Sequence, residues 1–182
     1  MRRVCVFCGS NLGDRTEYAE AARAMGRALV DRDLELVYGG GRIGLMGVLA
    51  DAVLENGGRA TGGIPKALEA REVAHGGLSE LRVVSTMHER KAMMEQLSDA
   101  FIAMPGGLGT FEEILEILTW AQLGIHPKPS GLLNVAGYFD PLMEVLHQAA
   151  DRGFMPPQSL DNLYLGTEPL ELLDACENHS AG

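Results

Sequence analysis

The 182-residue sequence carries 15 Lys+Arg against 25 Asp+Glu, a formal charge of −10, with 46% apolar residues. That length suits one domain whose core needs neither disulfides nor a structural metal. The acidic balance excludes a surface that neutralises a row of nucleic-acid phosphates, although a small anion could still be held by a few local positive groups.

The N-terminal MRRVCVFCGS has an apolar run too short for a signal-peptide core. No segment approaches the ~20 apolar residues of a membrane span. A soluble, cytoplasmic protein is expected. The first strand is predicted over 2–9 and contains Cys5 and Cys8. Residues three apart on a strand point to opposite faces, with Cα atoms roughly 10 Å apart, beyond bridging distance. Both cysteines are therefore expected in the core. A helical pattern at 15–31 leads to a second strand at 34–40 and the turn GGGRIG, followed by a helix at 44–57. GGGRIG literally matches the dinucleotide fingerprint. It follows the second strand rather than the first, however, and the next strand, at 59–64, ends in TGGIP without the ribose-binding acid. A tight strand-to-helix turn explains it better, and ligand contact there is compatible with that role.

The stretch 64–80 is long for a connection and carries charges, so a functional loop over the sheet edge is expected. After a strand at 81–85, STMHERK opens a helix at 87–98. Thr86 and Glu89 fit a capping box. Arg90 and Lys91 fall near the first turn, where the macrodipole disfavours cations unless a phosphate or a carboxylate lies opposite; the alternative is two solvated basic residues.

A strand at 100–106 runs into PGGLGT and a helix at 110–124. No lysine follows these glycines, so this is not a Walker loop. Gly106, Gly107 and Gly109 can nevertheless aim several amides at one point, beside a helix N-terminus suited to a monophosphate, and Thr110 can add its hydroxyl. TFEE then poses a choice. Glu113 either closes a capping box with Thr110 or faces a ligand. Strands at 130–135 and, weakly, 162–165, with helices at 139–152 and 168–177, complete an alternating pattern. The fold expected is one α/β domain over 1–182, doubly wound, with a mostly parallel sheet and helices on both faces.

With these residues assembled, the sequence resembles the Lonely Guy family, the cytokinin riboside 5′-monophosphate phosphoribohydrolases. PGGxGTxxE is read from Pro105 to Glu113, and the Arg-Lys pair at Arg90 and Lys91. The likeness continues through CGS at 8–10, VYGGGRIGLMG at 37–47, IPK at 64–66 and TWAQLGIHPKP at 119–129.

The resemblance implies a Rossmann-like homodimer that releases free base and ribose 5-phosphate from a nucleoside 5′-monophosphate such as AMP or isopentenyl-AMP. It implies Arg90 and Glu113 as the catalytic pair. Gly107, Leu108, Gly109 and Thr110 would contact phosphate, and Phe111 and Glu112 would also bind substrate. Glu72, Lys91 and Thr119 match nucleotide-contacting positions. No cofactor, metal, nucleic acid or membrane is implied. The five histidines are scattered, without H-E-x-x-H. Arg42 departs from the small residue expected inside GGGRIG.

A lysine decarboxylase label, often attached to this family, finds no support. The only lysines are Lys66, Lys91 and Lys128, none in the surroundings of a known Schiff-base lysine. Glycosidic cleavage develops positive charge on the sugar, which a carboxylate at Glu113 could stabilise. Arg90 would either neutralise the phosphate or support the leaving base. The alternatives are a non-catalytic AMP-like nucleotide sensor and a general AMP nucleosidase. The 110–124 helix is apolar around most of its circumference, which suggests packing on the sheet and on a second subunit.

Overall fold

The computed structural model describes residues 1–66 and 74–180. Seven strands form one all-parallel sheet in the order β4-β3-β2-β1-β5-β6-β7. These are β1 (Arg3–Phe7), β2 (Glu35–Tyr38), β3 (Ala60–Pro65), β4 (Glu80–Val84), β5 (Ala100–Ala103), β6 (Ser130–Leu133) and β7 (Leu163–Gly166). The helices between them are α1 (Thr16–Asp31), α2 (Gly44–Glu55), α3 (Met87–Leu97), α4 (Leu108–Gln122) and α5 (Asp140–Asp151), with α6 (Pro169–Ser180) last. The doubly wound expectation holds, and the weakest strand, at 162–165, is real. Among the described residues no helix is long and apolar enough to cross a membrane.

Strand β1 shows why the fold closes. Val4 and Val6 join one buried cluster with α1, α2 and α6 side chains such as Met25, Leu49 and Leu173. Cys5 and Phe7 join the other, with Met94 of α3 and Ile114 and Ile117 of α4. A parallel strand covered on both faces must be apolar throughout, and RVCVF is, apart from its first residue. Cys5 and Cys8 thus sit on opposite faces, free and buried. Burial lifts the Cys5 thiol well above its usual pKa, and Cys8 likewise.

From β1 the chain winds outward to β4, then returns to β5 on the other side of β1. The segment after β1 leads to α1 on one face, and that after β5 leads to α4 on the other. Neighbouring strands whose connections part in this way leave a crevice at their carboxyl ends, which is where ligands bind in such sheets.

Candidate active site

At that crevice the loop after β5 is held from both sides. Gly9 N donates to Pro105 O at 3.0 Å. A Cβ on Gly106 would stand 2.1 Å from Thr110 Oγ1 and 2.8 Å from Gly9 N, so only glycine fits without displacing the loop. Helix α4 begins at Leu108, two residues ahead of the sequence expectation, with Gly107 as N-cap. Its ladder opens with Phe111 N donating to Gly107 O at 3.2 Å. The amides of Leu108, Gly109 and Thr110 precede that ladder, at the positive end of the helix dipole. Gly107, Leu108 and Gly109 are exposed, while Thr110 is buried.

This start removes one half of the choice posed by TFEE. Thr110 lies inside the helix and no side chain caps its N-terminus, so the Thr110–Glu113 capping box does not form. Glu113 instead shares a stripe with buried Thr110, Ile114 and Ile117, the side of α4 that faces the sheet. Glu112 is turned about 100° away. Adjacent in sequence, the two glutamates serve different neighbours.

Helix α3 does use its cap. Thr86 Oγ1 accepts from Glu89 N at 3.1 Å, and Glu89 Oε2 reaches back to Ser85 N at 2.8 Å. One turn in, Arg90 is buried and Nη2 donates to Gly39 O at 3.1 Å. A Cβ on Gly39 would stand 2.2 Å from that nitrogen. Two charges from different helices therefore act on one thiol of β1. Beyond the effect of burial on the Cys5 thiol, the Glu113 carboxylate pushes it further up and the Arg90 guanidinium pulls it back.

Lys91, also buried, pairs with Glu112 and, at 3.0 Å, with Glu116. Burial alone would lower its pKa, but the two carboxylates outweigh that and raise it. An ammonium held charged in this way is the opposite of a Schiff-base lysine. Phe111 stacks on Tyr138 with centroids 6.2 Å apart. Thr119 is exposed, its hydroxyl returned to Leu115 O at 2.7 Å. It lies roughly 13 Å along the helix from Thr110. Glu72 lies outside the described residues. Within one chain Glu113 thus shares the start of α4 with the amides at 108–110, Arg90 acts on the same β1 thiol as Glu113, and Thr119 stands apart.

The turn at 39–44 is already committed. The second and third amides of α2, Leu45 N and Met46 N, donate to Gly9 O at 3.0 and 3.3 Å. Gly44, at φ +63°, approaches Ser10 so closely that a Cβ would stand 2.2 Å from its carbonyl carbon. The helix end that a dinucleotide pyrophosphate would need is spent on protein. Arg42 is exposed beside it. Gly9 and Gly39 were not singled out from sequence. Each lies in a quoted motif, CGS or GGGRIG, but the neighbour that requires it comes from a distant element.

The profile of the family described as "possible lysine decarboxylase" matches residues 46–176. The probable cytokinin riboside 5′-monophosphate phosphoribohydrolase LOGL2 of Oryza sativa subsp. japonica is 50% identical over 98% of this chain and 73% of its own. The chain belongs to the Lonely Guy family. Another member, the cytokinin riboside 5′-monophosphate phosphoribohydrolase LOG1 of Arabidopsis thaliana, is 47% identical over 98% of this chain and 84% of its own.

Lonely Guy architecture extends to more distant structures. The molybdenum cofactor carrier protein of Chlamydomonas reinhardtii superposes with a TM-score of 0.75 at 18% identity, covering 100% of this chain and 99% of its own. The molybdenum cofactor binding protein of Rippkaea orientalis gives 0.73 at 19%, covering 97% and 96%. At such identities the likeness is one of fold.

Proposed function

We propose that this protein hydrolyses the N-glycosidic bond of adenosine-type 5′-monophosphates, N6-modified ones preferred, to free base and ribose 5-phosphate. The observation that carries the proposal is the placing of two opposite charges around the central strand beside an open amide cradle: Arg90 of α3, bonded to Gly39 O, and Glu113 on the sheet-facing side of α4, both acting on the Cys5 thiol. The names of the Lonely Guy relatives support the same reaction.

The phosphate is held by the amides of Leu108, Gly109 and Thr110 and by the α4 dipole. This fixes the ribose relative to Glu113 before the bond breaks, so that orientation is already supplied by binding. As the C1′–N9 bond lengthens, positive charge grows on the sugar and the Glu113 carboxylate stabilises it. Water adds its hydroxyl to C1′ and its proton leaves with the base. Arg90 balances the negative charge of the phosphate or of the departing base. Lys91, Glu112 and Phe111 hold the walls around the cradle.

A homodimer is part of the same reading. Leu115, Thr119 and Leu123 are exposed along one side of α4, four residues apart, and Ile125 beyond the helix is exposed too. A second copy over this stripe gives Thr119 a neighbour that one chain does not.

Glu113→Gln and Arg90→Ala are each expected to lower kcat/KM by about a hundred- to a thousand-fold, equivalent to ~2.7–4 kcal/mol of transition-state stabilisation. Far-UV circular dichroism should show the fold retained. Normal turnover in Glu113→Gln would remove the carboxylate from the mechanism.

A further inference from the structure

Beside the cradle lies a cavity of ≈ 160 Å³, lined by Ser10, Asn11, Tyr18, Gly106, Gly107 and Tyr138 among others. Among its lining residues Tyr138 reaches the loop, its hydroxyl donating to Gly106 O. Tyr138 comes from the turn after β6, a neighbour of β5 in the sheet, and that turn is built to present it. Asn134 Nδ2 donates to Asp140 Oδ1 and Asn134 Oδ1 accepts from Phe139 N, both at 2.7 Å. Ala136 and Gly137 take left-handed conformations, at φ +53° and +73°. Three rings then fix the phenol: Phe111 stacked on it, and Phe139 and Tyr18 edge-on at 5.2 and 5.9 Å between centroids.

A trans peptide is planar, with its C=O and N–H pointing in opposite directions. The Gly106 carbonyl and the Gly107 N–H belong to one such plane. Pinning the carbonyl on Tyr138 therefore points the Gly107 N–H away from the phenol, at an exposed residue that caps α4. Glycines on both sides of that plane would otherwise let it rotate at little cost. The preceding carbonyl, that of Pro105, is fixed in the same way by Gly9 N.

We infer that Tyr138 is a positioning residue for the phosphate cradle: its hydroxyl locks the Gly106–Gly107 peptide so that the Gly107 amide joins those of α4 in holding the 5′-phosphate. The inference rests on the phosphoribohydrolase reading for the identity of the anion.

Tyr138→Phe deletes the hydroxyl and keeps the ring stack, so it isolates the lock. The expected result is KM for AMP or isopentenyl-AMP raised about threefold to tenfold, the worth of one neutral hydrogen bond, with kcat much less changed. The same factor should weaken inhibition by inorganic phosphate, while thermal stability stays close to the original. Tyr138→Leu, which also removes the ring, should lower stability as well. If it fails to fold, Tyr138→Phe alone still decides. An unchanged KM and unchanged phosphate inhibition in Tyr138→Phe would overturn the inference and leave the catalytic reading intact. Should the unaltered protein bind AMP without releasing base, the catalytic reading fails; calorimetric AMP affinities of the two proteins then test the lock, equal affinities overturning it. If neither AMP nor phosphate binds the unaltered protein, the cradle itself is refuted.

Discussion

A methyl group on Gly39 would occupy the space that Arg90 Nη2 now fills, 2.2 Å from it, with Met46 Sδ at 3.1 Å behind. Because the guanidinium is the far end of a flexible side chain, the fold can yield by moving Arg90 rather than the sheet. Gly39→Ala is therefore expected to cost little stability. It should lower kcat/KM at least about tenfold, since displacement of a charge by about 1 Å is enough to weaken catalysis strongly. Steady-state kinetics beside a melting curve would check this, and a variant with lowered stability but full activity would contradict it. Arg90 was legible in the sequence because a cation in a helix's first turn is unfavourable without a counter-charge. The demand on Gly39 was not. It arises from a side chain 51 positions later in the chain, and no local pattern records it.

Helix α4 shows what periodicity recovers and what it misses. Its apolar character was readable, but as a helix apolar nearly all round. The stripe that faces the sheet is seen only in the structure, and Glu113 falls on it at i+3 from Thr110, a carboxylate on a core face. Its start was misplaced by two residues because Leu108 and Gly109 look like loop. In fact Gly107 caps the helix without any side-chain help. Glu112 and Glu116, one turn apart on the neighbouring side, clamp Lys91 and so tie α4 to α3. Lys91→Met leaves two carboxylates facing each other without their cation. The expected cost is about 1–2 kcal/mol in urea unfolding, with Lys91→Arg recovering part of it. If Lys91 serves the nucleotide alone, Lys91→Met should leave unfolding unchanged and raise KM.

Across the whole molecule, all seven strands and all six α-helices of the described residues follow the alternation of short apolar runs and longer amphipathic segments. The order of strands does not follow from alternation. It depends on the chain reversing at β1, which sets β5 beside it and so brings CGS and PGGLGT together. The notion of a helix apolar all round also needs restating at this scale. Ile114, Ile117 and Leu118 are buried, but Leu123 remains 66% and Ile125 61% exposed. A side of that kind is what a second copy would cover. Light scattering is expected to give a dimer mass, and Leu123→Glu with Ile125→Glu should shift it toward the monomer. A strictly monomeric unaltered protein would contradict the proposed assembly.

The central claim is that a phosphate-anchored nucleotide loses its base at Glu113, and chromatography tests it most directly. Purified protein would be incubated with isopentenyl-AMP, with AMP and with the corresponding ribosides, and free base followed over time. The account predicts release from the monophosphates, faster from the isopentenyl one, and far slower or no release from ribosides that the amide cradle cannot hold. Equal release from ribosides and nucleotides would contradict the role of the cradle, and no release from any of them would contradict the hydrolase itself.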